Sequence, residues 1–269
     1  MPYLELMRPL NSLMAGFGAW LGYSLAAGVP ALDVPVALLA SSAFLVCAGG
    51  QAINDYFDRD VDARHKPNRP IPSRRVPENT AYAFAMLLFA AGIFFAGLLS
   101  LDTAIYAVFF AALLYAYSAF FRKVKWLGNW VAAAGTGAVI VYGALPSGNY
   151  SIAGFLAVAA FLANAGREIT KDLEDRRGDT GFKLSLPMVI GEANAKQIVN
   201  ACYVGASLTA ALPVIVGQNM LALDLAGLGA LALAYSCHKL YQMGGYRDSQ
   251  RASKVGMFLV LAAYAATLF

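Results

Sequence analysis

Asn54-Asp55-Tyr56-Phe57-Asp58-Arg59-Asp60-Val61-Asp62 closes an apolar run that begins near residue 34, and it sets carboxylates at Asp55, Asp58 and Asp62. The spacing returns in Lys171-Asp172-Leu173-Glu174-Asp175-Arg176-Arg177-Gly178-Asp179, with Asp172, Asp175 and Asp179. Positions i, i+3 and i+7 share one face of an α-helix, so each stretch is expected to offer its carboxylates to one point. Clustered carboxylates repel unless a cation joins them. Their hard oxygens suit Mg2+ or Ca2+ better than zinc or copper, and Mg2+ commonly divides its shell between carboxylates and substrate phosphates.

Outward from these stretches the chain is apolar. It is 59% hydrophobic and 13% charged, a balance that belongs in a membrane rather than in a soluble domain. A helix needs about 20 mostly apolar residues to cross the hydrocarbon core. Nine such runs are predicted, at 9–27, 34–53, 79–101, 103–121, 127–145, 151–166, 195–216, 220–238 and 252–269. The breaks carry turn chemistry: Gly28-Val29-Pro30, Asp102, Pro146-Ser147-Gly148-Asn149 and Gly217-Gln218-Asn219. The run 151–166 is short and is expected to continue as helix into the second acidic stretch. The first run lacks a small-residue cleavage site and is read as a retained helix. The chain therefore reads as one transmembrane domain over residues 1–269.

Basic residues set orientation, because short loops rich in Lys and Arg stay cytoplasmic. All 20 Lys and Arg fall toward one side of the predicted spans, and the opposite side holds only Asp33, Asp102 and, near the start of the span 220–238, Asp224. This predicts a cytoplasmic N-terminus, an outside C-terminus and both acidic stretches at the cytoplasmic face of the cell membrane. The net charge of +4 suits anionic lipid headgroups or an anionic substrate. Nothing suggests nucleic acid, since no soluble basic domain is present to hold it. Cys47, Cys202 and Cys237 are too few and too scattered for a zinc site or disulfide framework.

The acidic stretches follow the second and sixth spans, which suggests two four-helix halves plus a ninth span, with a central cavity opening to the cytoplasm. Membrane proteins built from repeats often place their site where the halves meet. Nine of the sixteen acids crowd into these two stretches: Asp55, Asp58, Asp60, Asp62, Glu168, Asp172, Glu174, Asp175 and Asp179. Ionisable groups beside membrane spans are costly unless paired or metal-bound, and they mark function. Two such stretches flanking a diphosphate through Mg2+ account for the whole pattern. The segment from Arg64 to Arg75 holds Pro67, Pro70 and Pro72, which forbid continued helix and predict an extended segment. Lys66 and Arg69 would direct cations at leaving phosphate oxygens. A secondary transporter is the alternative of another class; it predicts acids near the midplane of broken helices rather than at span ends.

These residues resemble the UbiA superfamily of intramembrane prenyltransferases. Its first motif, Asn-Asp-x-x-Asp-x-x-x-Asp, stands here as Asn54, Asp55, Asp58 and Asp62, followed by the basic loop Lys66-Pro67-Asn68-Arg69-Pro70-Ile71-Pro72-Ser73. Arg8-Pro9-Leu10-Asn11 resembles the approach to its first helix. The stretch from Tyr117-Ser118 through Arg122-Lys123 to Gly128-Asn129 resembles its turn between helices four and five. Residues 166–179, then Leu186-Pro187-Met188-Val189-Ile190-Gly191, are most similar to the lipid-forming branch. That branch moves a geranylgeranyl group from its diphosphate onto the free hydroxyl of geranylgeranylglyceryl phosphate, making the second ether of archaeal-type lipids. Branches with an aromatic, haem or chlorin acceptor are the nearest alternative. Glu168 favours the lipid branch, whereas Phe120 stands where that branch is expected to carry Lys.

The resemblance implies that Asn54, Asp55, Asp58, Asp172, Asp175 and Asp179 hold Mg2+, with Asp62 acting through water or a neighbour. It implies that Lys66, Arg69, Arg122 and Lys123 meet the diphosphate of the prenyl donor. Arg8, Asn11, Arg167 and Lys171 are the candidates for the lipid phosphate acceptor. Ionisation of the allylic carbon–oxygen bond would leave a cation that aromatic faces stabilise, with Tyr106, Tyr115, Tyr117 and Tyr142 as candidates. Glu168 or a motif aspartate would take the acceptor proton. The residues leave donor chain length and oligomeric state open.

Overall fold

The computed structural model describes residues 1–121, 124–179 and 185–269, apart from the side chains of 125 and 176–179. The described residues form helices and turns without a strand. They divide into two compact units, Met1–Tyr23 with Ala31–Arg122 and Tyr142–Gly148, and Ser24–Pro30 with Lys123–Val141 and Asn149–Phe269.

The first unit opens with a short helix, α1 (Pro2–Met7), and then α2 (Pro9–Ala27), whose last residues count with the second unit. Arg8 sits between them at φ 44°, left-handed backbone that a non-glycine residue adopts only where surroundings hold it. Helix α3 (Val34–Phe57) starts where Asp33 Oδ1 accepts from the Val36 N–H at 3.1 Å, satisfying one orphan donor of the first turn. It is followed by α4 (Arg59–His65), α5 (Glu78–Gly97) and α6 (Leu101–Ala116), the last capped by Ser100 Oγ on the Thr103 N–H. A π-helical turn, Tyr117–Phe121, continues α6. Helices α3 and α5 approach closely because small residues line the seam: a Cβ on Gly92 would lie 3.1 Å from the Ser42 carbonyl oxygen and 2.8 Å from Val46 Cγ2. In lipid, such seams replace the hydrophobic effect as the source of helix association.

The second unit holds α7 (Lys125–Ala144), whose residues from Tyr142 on count with the first unit, α8 (Ser151–Asp179), α9 (Leu186–Ile190), α10 (Glu192–Gly217), α11 (Met220–Lys239) and α12 (Tyr246–Ala266). Its core joins α8, α10 and α11 through Ala163, Ile169, Leu173, Val199, Tyr203 and Leu233. Helices α11 and α12 cross at paired glycines, a Cβ on Gly256 falling 3.0 Å from the Gly229 carbonyl oxygen. Beside this crossing Ser236 Oγ and Ser249 Oγ are 2.8 Å apart and buried.

Seven helices are long and apolar enough to cross a membrane among the described residues. The expected spans at 9–27 and 252–269 exist as α2 and α12 but fall outside that set. Asn11, Ser12, Tyr23 and Ser24 dilute α2, and α12 opens with Arg247, Asp248, Arg251 and Lys254. Helix α8 does run unbroken from the sixth span through the second acidic stretch, over 29 residues.

Two expectations need correction. The first acidic stretch does not lie on one helix: α3 stops at Phe57, Asp58 takes a turn conformation (φ −84°, ψ 0°), and α4 starts at Arg59. The proline loop is not extended. It folds as successive turns closed by Arg69 N–H to Lys66 O, Arg74 N–H to Ile71 O and Val76 N–H to Pro70 O, at 3.0, 2.9 and 3.0 Å. Burial of Ile71 and Val76 draws the loop inward; prolines exclude helix but do not by themselves choose between extension and turns.

Candidate active site

In the first unit, Asp55 and Asp62 are buried and each is met by arginine. Arg8 Nη2 lies 2.5 Å from Asp55 Oδ1, and Arg69 Nη1 lies 3.1 Å from that same oxygen and 2.5 Å from Asp62 Oδ2. Charge-assisted bonds of this length are among the stronger polar contacts available to buried groups. Asn54 Nδ2 points to Asp58 Oδ2 at 3.4 Å. Asp58 stands at the α3–α4 junction, half-buried, while Lys66 is exposed. Asn11 is exposed on α2, and its carbonyl oxygen accepts from Cys47 Sγ at 3.9 Å.

An outer clasp holds this arrangement. Arg75 donates from both terminal nitrogens to Glu5, at 2.7 and 2.8 Å, and Arg75 Nη2 also reaches the Asn68 carbonyl at 2.6 Å. The hydrogen bond from Arg75 holds the Glu5 carboxyl below its ordinary value. Arg59 pairs with Glu78 at 2.9 Å and lies over the Tyr56 ring. Tyr142 is buried, donates to Ser42 Oγ at 2.8 Å and stacks on Tyr106. Tyr115 lies 3.4 Å from Tyr82, hydroxyl to hydroxyl.

In the second unit, Asp172 is fully buried on α8 and its Oδ2 accepts from Asn129 Nδ2 of α7 at 2.6 Å. One turn on, Asp175 is exposed. One turn before, Arg167 Nη2 pairs with Glu168, and Lys171 Nζ lies 3.7 Å from Glu168 Oε2. Arg167 Nε donates to Asn164 Oδ1 at 3.1 Å, and Asn164 Nδ2 in turn donates to Thr136 Oγ1 at 2.8 Å. Glu174 accepts from Gln250. Arg122 and Lys123 lie outside the described residues, as does the side chain of Asp179.

Asn129 and Asn164 are the polar partners that reading by acidic spacing passes over. Each is an amide inside an otherwise apolar run, a placement that is costly unless the side chain is paired, and that was the available signal. No group of three or more His, Cys, Asp and Glu side chains converges closely enough to hold a metal among the described residues. In the first stretch the turn at Asp58 interrupts the helical face that the spacing required, and in the second the side chain of Asp179 lies outside the described residues. The donor chemistry still fits a hard divalent cation, because the carboxylates of Asp55, Asp58 and Asp62 are hard oxygen donors, although Arg8 and Arg69 occupy Asp55 Oδ1 and Asp62 Oδ2.

The family model for UbiA prenyltransferases matches residues 15–262. A protein of Methanopyrus kandleri named digeranylgeranylglyceryl phosphate synthase is 38% identical over 273 aligned positions, covering 99% of this chain and 98% of that one. One of that name from Pyrococcus abyssi is 33% identical, covering 97% and 95%. A solved structure concerned with digeranylgeranylglyceryl phosphate synthase in membranes superposes with a TM-score of 0.85 at 29% identity, covering 99% of this chain and 98% of that one. A UbiA homolog from Archaeoglobus fulgidus, solved with GPP and Mg2+, shares the fold with a TM-score of 0.68 at 18% identity over 100% and 99%. Matched over nearly all of its length, with acidic stretches set at the ends of membrane helices, the chain belongs to the UbiA prenyltransferase family.

Proposed function

We propose that the chain catalyses Mg2+-dependent transfer of a geranylgeranyl group from its diphosphate to the free hydroxyl of geranylgeranylglyceryl phosphate, forming the second ether of archaeal-type lipids. The observation that carries this reading is 38% identity across 99% of the chain to a protein named for that synthesis. We propose a single transmembrane prenyltransferase domain over residues 1–269 with nine crossings, α2 and α12 included. The N-terminus and both acidic stretches lie on the cytoplasmic side, where the cavity opens, and the C-terminus lies outside. The one-sided distribution of all 20 Lys and Arg supports this orientation.

Asn54, Asp55 and Asp58 are the residues to hold Mg2+ in the first stretch, and Asp172, Asp175 and Asp179 in the second. The ion supplies Lewis acidity that neutralises the departing diphosphate. Lys66, Arg69, Arg122 and Lys123 add positive charge where the leaving group gains negative charge. Arg167 and Lys171, gathered around Glu168, offer cations to the acceptor phosphate, with Arg8 and Asn11 as further acceptor contacts. Glu168 or a motif aspartate takes the hydroxyl proton, a role that suits a carboxylate within reach of a polar substrate group.

Purified protein incubated with radiolabelled geranylgeranyl diphosphate and Mg2+ tests the reading, with geranylgeranylglyceryl phosphate or an aromatic acid as acceptor. Product with the lipid acceptor alone, lost in Asp58→Ala, is the expected result. Product with the aromatic acceptor alone overturns the assignment of substrate.

A further inference from the structure

Asp55 and Asp62 are the two buried carboxylates of the first stretch, and both are already neutralised from within the chain. Asp55 Oδ1 accepts from Arg8 at 2.5 Å and Arg69 at 3.1 Å, and Asp62 Oδ2 accepts from Arg69 at 2.5 Å. Two carboxylates and two guanidinium groups sum to no net charge. With Asp58 the stretch carries −1, so a divalent cation arriving alone would have to displace the guanidinium groups from Asp55 and leave +1 in a partly desolvated place, which raises its free energy. A cation arriving with a diphosphate brings its own negative charge. The displaced Arg69 then has diphosphate oxygens to pair with, for which guanidinium is well shaped, and Arg8 turns to the acceptor side assigned to it above.

We infer that Arg8 and Arg69 are selectivity residues: they guard the first acidic stretch against free Mg2+ and make it accept the metal only together with a diphosphate. This rests on the reading above, in which that stretch takes Mg2+. Two features suit an exchange of partners. Arg8 has left-handed backbone at φ 44°, a conformation of higher energy held in place by its surroundings. Arg69 lies in the turn-rich loop, anchored by its own N–H to Lys66 O and its carbonyl to Ser73, so its side chain can change partners while the backbone stays. Coupling between two ligands is reciprocal. Diphosphate should therefore raise Mg2+ affinity by the same factor as Mg2+ raises diphosphate affinity.

The test uses binding without turnover. Mg2+ is titrated calorimetrically into full-length protein in lipid nanodiscs, with and without inorganic diphosphate and with no prenyl chain or acceptor. Wild type should bind Mg2+ far more tightly with diphosphate than without. Arg69→Gln should bind Mg2+ alone about tenfold more tightly than wild type, and the gain from diphosphate should shrink by a similar factor, within the usual span of coupling between sites. Arg69→Lys, which keeps the charge, should stay near wild type, and Arg8→Gln should shift in the same direction as Arg69→Gln. Thermal unfolding of each variant checks that it is folded. Equal Mg2+ affinity in wild type and in folded Arg69→Gln and Arg8→Gln overturns the inference while leaving the metal site standing. No Mg2+ binding by wild type even with diphosphate overturns both.

Discussion

Asn129 donates from Nδ2 to Asp172 Oδ2 at 2.6 Å, and both side chains are buried. Helix α7 thus fixes the orientation of the carboxylate that α8 buries most deeply in the second acidic stretch. A hydrogen bond to a charged group is worth about 1.5–3 kcal/mol. Asn129→Leu removes this donor at similar volume and should lower the unfolding temperature. It should also raise the Mg2+ concentration needed for half-maximal turnover, which an assay over a Mg2+ series reads directly. A variant that loses stability with an unchanged Mg2+ midpoint would reduce Asn129 to a packing role.

Arg167 is held on two sides, by Asn164 Oδ1 at 3.1 Å and by Glu168. If it anchors the acceptor phosphate, Arg167→Ala should raise the apparent KM of the lipid acceptor more than that of the prenyl donor. Asn164→Ala, which frees Arg167 without removing its charge, should shift the same constant by a smaller amount. Equal changes for both substrates would remove Arg167 from acceptor binding.

Gly166 precedes Arg167, and a Cβ there would lie 2.6 Å from Tyr203 Cε1. Tyr203 is buried to 1% exposure, so the ring has little room to retreat. Gly166→Ala should therefore destabilise the second unit by about 1–3 kcal/mol, the usual cost of forcing an extra group into a filled core. Pairing it with Tyr203→Leu should recover part of the loss in thermal unfolding. Additive losses would show that the two positions are not in contact.

Glu5 carries the pH dependence of the outer clasp. Its hydrogen bond to Arg75 lowers its folded value below the ordinary 4.5. A depressed carboxylate contributes stability that is complete above its unfolded value and is lost as pH falls through the folded one. Wild type should therefore unfold at a higher temperature than Glu5→Gln near neutral pH. The difference should begin to close below about pH 4.5. A gap that stays constant down to pH 3 would mean that the pair does not stabilise the fold through charge.

Much of the architecture was legible because apolar runs and their turn residues are local signals. Asp33 and Asn219 cap α3 and α11 where the breaks were expected, Ser100 caps α6 two residues before the expected break at Asp102, which lies in its first turn, and α8 runs into its acidic stretch as its pattern implied. Other features depend on partners distant in sequence. Two identical acidic spacings became different structures, since Asp58 interrupts one helix and nothing interrupts α8 up to Asp179. Spacing alone carries no term for that turn. The prolines announced a loop, but the burial of Ile71 and Val76 that folds it comes from packing. The pairing of Arg8 with Asp55 was not legible, because no local pattern reveals a partner 47 residues away. Asn129 was visible within the helix-turn motif, but its bond to Asp172 spans 43 residues.

The clasp between α1 and the proline loop sets an order of events during synthesis. Glu5 emerges from the ribosome 70 residues before Arg75, an interval of several seconds at about 5–20 residues per second. During that interval α1 has no partner in the loop, and Asp55 is made before Arg69 exists. Helix α1 thus waits unclasped until the proline loop has been made, so the joint between them closes only after α3 and α4 have been synthesised.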